Sequence, residues 1–232
     1  MKTRLTQMLQ RINGTSHHRV AEQQMKKMQN TPSMASSVTD KILKEKDREI
    51  DRLRHALANA EARLQELAGK DLLTGLPNRH IFKEHLTHSL KRALRLGYSL
   101  SLMLVDIDGM RDINLRYGHE IGDKVLIEVS NILRTSVREI DMPARWGGEE
   151  LVAVLHETDS EGAKAVAERV RRRVEALELR DPRSGKIIHV TATLSVTCYP
   201  KHSCDPQSLL EAASEALIEA KEAGGNVVIV AD

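Results

Sequence analysis

The segment that most restricts the fold is 98–108, Tyr-Ser-Leu-Ser-Leu-Met-Leu-Val-Asp-Ile-Asp. Its body is largely apolar, and a run of this kind reads as a strand buried on both faces. Such a strand belongs inside a sheet that helices cover. It ends in Asp106, Ile107 and Asp108. Side chains alternate along a strand, so the two carboxylates leave on one face while Ile107 turns into the core.

A second acidic pair lies further on. Residues 141–157 form a hairpin pattern in which two short strands flank Trp146, Gly147 and Gly148, with Glu149 and Glu150 directly after the glycines. Alternation sends these two glutamates to opposite faces, so one can meet Asp106 while the other plays a different role. Carboxylates crowded at neighbouring strand ends repel unless a cation lies between them. Magnesium suits that place, because it takes hard oxygen ligands beside phosphate oxygens. Two ions polarise a transferring phosphoryl group and activate a hydroxyl. Gly147 and Gly148 let the backbone pass close to a ligand. Residues 98–157 therefore read as a carboxylate-lined, divalent-metal-dependent nucleotide site. The turn taken alone is equally a solvated acidic hairpin.

The remaining pattern surrounds this strand with helices. Asn78 caps a helix over Arg79–Leu96 that ends at Gly97. A short helix covers Met110–Tyr117, residues 118–123 form a turn, and Asp123–Val137 has helical periodicity. Asp159 or Ser160 caps a helix over Glu161–Leu179, and Arg180–Gly185 is a polar loop. A strand over 187–196, a helix over Pro206–Ala223 and a strand over 226–230 follow. This order predicts an α+β domain with a central antiparallel-containing sheet and surrounding helices, a palm-like relative of the split βαβ arrangement. A Rossmann fold is disfavoured, because no G-x-G-x-x-G follows a strand.

Upstream, Leu43, Ile50, Leu53, Leu57, Ala60, Leu64 and Leu67 recur at heptad spacing, with Lys46 filling the gap. A charged helix with such a stripe needs a partner, and a parallel second copy supplies one. The other reading is a single helix packed on its own domain. The expected organisation is a polar segment at 1–42, a dimerising coiled coil at 43–68 and the main domain at 69–232. His17 and His18 are adjacent and read as solvent-exposed.

Composition narrows the function. Lys and Arg number 35 against 33 Asp and Glu, and aromatic residues make up 2% of the chain. A basic nucleic-acid binder shows a clearer excess, and stacking platforms for single strands are nearly absent. Cys198 and Cys204 lack the partner ligands of a zinc site and read as plain thiols. The absence of an apolar run long enough for membrane insertion, and of a secretory signal, points to the cytoplasm.

Three stretches together carry a family resemblance: Asp71–Arg79 (DLLTGLPNR), Leu104–Asp123 (LVDIDGMRDINLRYGHEIGD) and Arg145–Leu151 (RWGGEEL). Over about two thirds of the chain the sequence resembles the GGDEF, or diguanylate cyclase, family. The resemblance implies a nucleotidyl-cyclase-like fold that condenses two GTP to cyclic di-GMP and two pyrophosphates, with one GTP held by each subunit of a homodimer. It implies that Asp106, the Ile107 carbonyl and Glu149 bind two Mg2+ ions, with Mn2+ as a substitute, and that Glu150 stands near them. Asn114 and Asp123 would read guanine, Arg111 and Lys221 would hold phosphates, and Gly147 and Gly148 would make room for the ligand. Arg138 and Asp141, as R-x-x-D, would bind product and inhibit. A regulatory protein is a further possible partner. Read without the resemblance, Asn114 is a helix-surface or capping residue and Asp123 a first-turn acid. Arg111 and Lys221 are then solvated cations, and Arg138 with Asp141 a surface ion pair. His119 is expected to be structural.

The sequence also departs from the family pattern. Leu151 replaces the usual Phe behind the turn and Met110 an aromatic, two changes expected to compensate in part. Leu115 replaces Asp, Arg111 Lys, Ser195 Gly, Ser214 Asp and Ile218 Tyr. Gly225 stands where an arginine normally contacts the phosphates. These departures leave a second reading, a weak or degenerate domain that binds cyclic di-GMP without making it.

Overall fold

The computed structural model describes residues 42–57 and 69–231. The chain divides into two units, Met1–Glu61 and Ala62–Asp232. In the first unit residues 42–57 are helical. Leu43, Ile50, Leu53 and Leu57 are all exposed there, so that part of the stripe is uncovered in a single chain. Ala60, Leu64 and Leu67, and the expectations for residues 1–41, lie outside the described residues.

The second unit runs α1 (Arg79–Leu96), β1 (Leu100–Ile107), α2 (Met110–Tyr117), α3 (His119–Ser136), β2 (Met142–Gly147), β3 (Glu150–His156), α4 (Ser160–Glu175), β4 (Leu179–Arg180), β5 (Ile187–Ile188), β6 (Ala192–Tyr199), α5 (Pro206–Glu222), β7 (Val228–Val230). Five strands form one sheet in the order β2-β3-β1-β6-β7, and β4 pairs with β5 in a separate ribbon. β1 is central and antiparallel to both neighbours, while β6 and β7 are parallel.

Alternation along β1 builds two cores. Met103, Val105 and Ile107 join the apolar faces of α3 and α4. Leu100, Leu102 and Leu104 join those of α1 and α5. The fold class expected from the apolar run thus holds, with each face of the sheet covered by two helices. β6 is buried along its whole length, yet it carries Thr193, Ser195 and Thr197 at alternate positions. Buried hydroxyls need partners. Ser195 Oγ donates to the Ala213 carbonyl at 2.6 Å and Thr197 Oγ1 to the Leu209 carbonyl at 3.1 Å. These bonds stitch α5 to the sheet and fix where its last turn, with Lys221, arrives.

Several local expectations need correction. Residues 118–123 are not a turn: α3 begins at His119, because Gly118 (φ 89) alone makes the reversal. α4 stops at Glu175 and not at Leu179, because Leu179 pairs with Ile188 instead. The strand expected over 187–196 is two strands, β5 and β6, and β6 extends to Tyr199. Trp146 and Gly147 belong to β2, with a register shift between Arg145 and Gly147 that skips Trp146 in the pairing, as in a bulge.

Candidate active site

The carboxylates gather at one end of the sheet because of register. Asp106 lies directly opposite Glu150 on β3 and Thr193 on β6. Glu150 has the same parity as Val152 and Val154, so it shares the α1/α5 face with Asp106. Glu149 is exposed on the turn, and its carbonyl accepts from the Ile107 N–H at 3.4 Å. The alternation argument therefore selects Glu150 as the cross-strand neighbour of Asp106.

The cluster is electrostatically tense. Burial raises the Asp106 pKa above its ordinary value; contact with Lys221 pulls the other way, and Glu149 and Asp108 add to the rise. Burial likewise raises Glu150, with further rises from Asp106 and Glu149. Lys221, reaching over from the end of α5, forms an ion pair with Asp106 and lies 4.0 Å from Asp108. Asp108 is gripped differently. Its Oδ1 accepts from Thr193 Oγ1 at 2.7 Å, and its Oδ2 from Thr191 Oγ1 at 2.8 Å and the Asn226 N–H at 3.1 Å. Among the described residues no three His, Cys, Asp or Glu side chains already converge in metal-binding geometry. The donor chemistry nonetheless fits a hard cation: partly buried carboxylates that raise one another's pKa are relieved by added positive charge.

The hairpin turn is locked from outside. Arg145 Nη1 donates to both oxygens of Asp71 at 3.0 Å, and its Nη2 donates to the Gly148 carbonyl at 2.8 Å. Gly148 has φ 53, a left-handed conformation that most side chains resist. Asp71 also accepts from the Thr74 N–H and hydroxyl at 2.8 and 2.7 Å. Burial opposes ionisation of Asp71, but the bonds from Thr74 and Arg145 outweigh it, and its pKa is lowered. The DLLTGLPNR stretch therefore braces the Gly-Gly turn. Trp146 packs beside it, with Arg79 Cζ 4.2 Å from the ring centroid and Phe82 edge-on at 6.0 Å.

At the corner of α2 and α3, Asn114 lies against Gly122, the residue before Asp123. A Cβ on Gly122 would collide with Asn114 Oδ1, so the absent side chain is what admits Asn114 beside the turn that carries Asp123. Arg111 and Asp123 are exposed. Arg138 is exposed too, whereas Asp141 is buried and accepts the backbone N–H groups of Arg138 and His156, each at 2.9 Å. Leu151 is fully buried and shares one core with Met110. Gly225 has φ 72, and a Cβ there would sit 3.2 Å from Asp108 Oδ1 and 3.1 Å from Thr193 Oγ1. Cys198 is buried, Cys204 exposed, and both are free.

Sequence reasoning passed over Gly122, Thr191, Thr193, Asn226 and the Asp71–Arg145 pair. None of them stands out locally: Gly122 reads as part of a turn over 118–123, and only the helix that begins at His119 shows it to be a helical glycine.

The fold and this rim define an α+β, palm-like domain with a carboxylate cluster at the end of its central strand. Residues 68–227 match the family described as "Diguanylate cyclase, GGDEF domain". The chain belongs to that family. It is 38% identical over 164 residues to the response regulator PleD of Caulobacter vibrioides, covering 71% of this chain and 36% of PleD. The chain thus spans well under half of that curated relative. Among solved structures it resembles the coiled coil and GGDEF domain of DgcB from Caulobacter crescentus in complex with c-di-GMP (TM-score 0.67, 25% identity, 83% of this chain and 99% of that one). It also resembles diguanylate cyclase SiaD in complex with its activator SiaC from Pseudomonas aeruginosa (TM-score 0.66, 30% identity, 99% of this chain and 88% of that one). No described helix is long and apolar enough to cross a membrane.

Proposed function

We propose that this protein is a diguanylate cyclase that condenses two GTP to cyclic di-GMP in the cytoplasm, as a homodimer with one GTP per subunit. The observation that carries the reading is the register that sets Asp106 opposite Glu150, beside the glycine turn, with Lys221 on Asp106. In each half-reaction the 3'-oxygen of one nucleotide forms a bond to the α-phosphorus of the other. The bond from that phosphorus to the α–β bridging oxygen breaks, pyrophosphate leaves with the electron pair, and the hydroxyl proton passes to solvent water. Two such steps close the ring.

Asp106, the Ile107 carbonyl and Glu149 would hold divalent metal, Mg2+ or Mn2+, with two ions per site. When bound, the metal neutralises phosphate charge and activates the attacking hydroxyl. Asn114 and Asp123 hydrogen-bond the guanine edge; adenine lacks the N1–H and 2-amino donors, so it would leave the Asp123 carboxylate unpaired and is rejected. Lys221 and Arg111 bind phosphate oxygens. Gly147 and Gly148 leave space for the ligand, and Glu150 stands across from Asp106. Arg138 and Asp141 bind product and inhibit. Within this proposed site the exposed Arg138 is the group that reaches product, and the buried Asp141 supports it by accepting the Arg138 N–H.

The stripe Leu43–Leu67 pairs two copies. The structural likeness to SiaD, solved with its activator, spans 99% of this chain, so we further propose a protein activator. A second reading, a product-binding module without synthesis, is favoured by one observation. The Gly225 Cβ direction is filled by Asp108 and Thr193, so no phosphate-binding arginine is accommodated there without shifting them.

Incubating the purified chain with GTP and Mg2+ and resolving the products separates the two. Cyclic di-GMP from the parent, and a loss of at least about 100-fold in Glu149→Gln, is the expected result. No product at any dimer-favouring concentration leaves the binding module. Product from Glu149→Gln at the parental rate removes the assigned metal chemistry.

A further inference from the structure

Asn226 has a left-handed backbone, φ 50, which asparagine adopts more readily than most side chains. That conformation aims its N–H at Asp108 Oδ2 and Thr193 Oγ1, both at 3.1 Å. Its side-chain amide is engaged at both ends. Oδ1 accepts from Arg171 Nη1 at 2.9 Å, and Nδ2 donates to Glu175 Oε1 at 2.8 Å. Flipping the amide would set its NH2 against a guanidinium and its oxygen against a carboxylate. Arg171 is itself fixed by Glu168 and Glu175, each at 3.1 Å. These three residues sit on α4, on the sheet face opposite α5.

We infer that Arg171, Glu175 and Asn226 form a positioning relay for Lys221, acting through the Asp108 carboxylate. This rests on the reading of Lys221 as a phosphate-binding residue. Asp108 is already bonded by Thr191, Thr193 and Asn226 on its two oxygens, so it is a fixed anion and not a free ligand. Lys221 pairs with Asp106 and lies 4.0 Å from Asp108 Oδ1. When a cation takes Asp106, Lys221 loses its partner, and Asp108 is the anion next to it that keeps the ammonium at the rim, facing the phosphates. None of the relay residues touches substrate. Their effect is to keep the one anion that steers Lys221 from drifting.

The test is calorimetric binding of a non-hydrolysable GTP analogue with Mg2+ to the full chain. Glu175→Ala and Asn226→Gly should each weaken binding about tenfold, the scale of lost outer-shell support. Glu175→Gln keeps one acceptor oxygen for the Asn226 amide but sets an NH2 against the Arg171 guanidinium, so it should recover only part of that loss. Glycine keeps the left-handed backbone at 226, and the Glu175 side chain is 49% exposed, so both variants should retain the parental circular dichroism. In a Lys221→Gln background Asn226→Gly should add no further loss, because coupled residues are not additive. Additive losses, or an Asn226→Gly protein that binds as the parent does, overturn the relay. A parent that binds no analogue removes the phosphate reading and the relay with it. A parent that binds and makes cyclic di-GMP while the relay variants match it removes the relay alone.

Discussion

Asp71 lies far from the acidic strand end in sequence, yet its side chain decides how the glycine turn sits, because it holds Arg145 and Arg145 holds the Gly148 carbonyl. Its lowered pKa means that the folded state binds the proton more weakly than the unfolded state. The stabilisation is therefore present above the ordinary carboxylate value of 3.8 and is lost as pH falls through the depressed one. Asp71→Asn should cost about 2 kcal/mol at neutral pH, in the range for a mostly buried, hydrogen-bonded pair. In denaturant titrations the gap from the parent should close well below pH 3.8; a gap that is constant with pH would show that the carboxylate is not its source. Gly122 acts by absence. Gly122→Ala must push Asn114 aside, so the KM for GTP should rise roughly tenfold while the melting temperature changes little, as expected when one base-reading hydrogen bond is lost. A large drop in melting temperature with unchanged KM would mean that Gly122 serves packing alone.

At the scale of elements, the hairpin is where sequence and structure diverge most usefully. Leu151 stands where the family usually has Phe, a change expected to be offset in part by Met110. In the folded chain Leu151 is fully buried, in the same core as Met110, so the cavity is already adapted to it. Leu151→Ala should cost about 2–5 kcal/mol in stability. Leu151→Phe should also destabilise, by about 1–3 kcal/mol through overpacking, and should not raise activity; a more stable and more active Leu151→Phe protein would refute this. The apolar run of β1, the cap at Asn78 and the α1 and α2 bounds were legible because each rests on local chemistry. The start of α3 was not, since one glycine, Gly118, does the work a longer turn was expected to do. The site was legible where motif residues lie close in sequence. The grip on Asp108 was not, because Thr191, Thr193 and Asn226 reach it across strand register and a chain reversal that no spacing encodes. Likewise, register and not sequence order makes Glu150 the partner across from Asp106.

For the whole molecule, the main domain holds half of what the proposed reaction needs, and the helix at 42–57 leaves its apolar stripe uncovered. Removing residues 1–68 should lower the mass in solution from dimer to monomer and reduce synthesis at least about tenfold at low protein concentration, with partial recovery at high concentration, as effective concentration arguments require. Unchanged mass and rate in light scattering and product assays would show that the segment has no part in pairing. The two cores, one on each sheet face, should keep the remaining domain folded. One feature of that domain then gains a practical meaning. Trp146 is the only tryptophan in the chain, and it is wedged between Arg79 and Phe82 next to the glycines. Its fluorescence therefore comes from a single known place per subunit. Any event that shifts the turn would be written into its emission, including the proposed arrival of a nucleotide or docking of a second copy, so the protein carries its own optical gauge of the site.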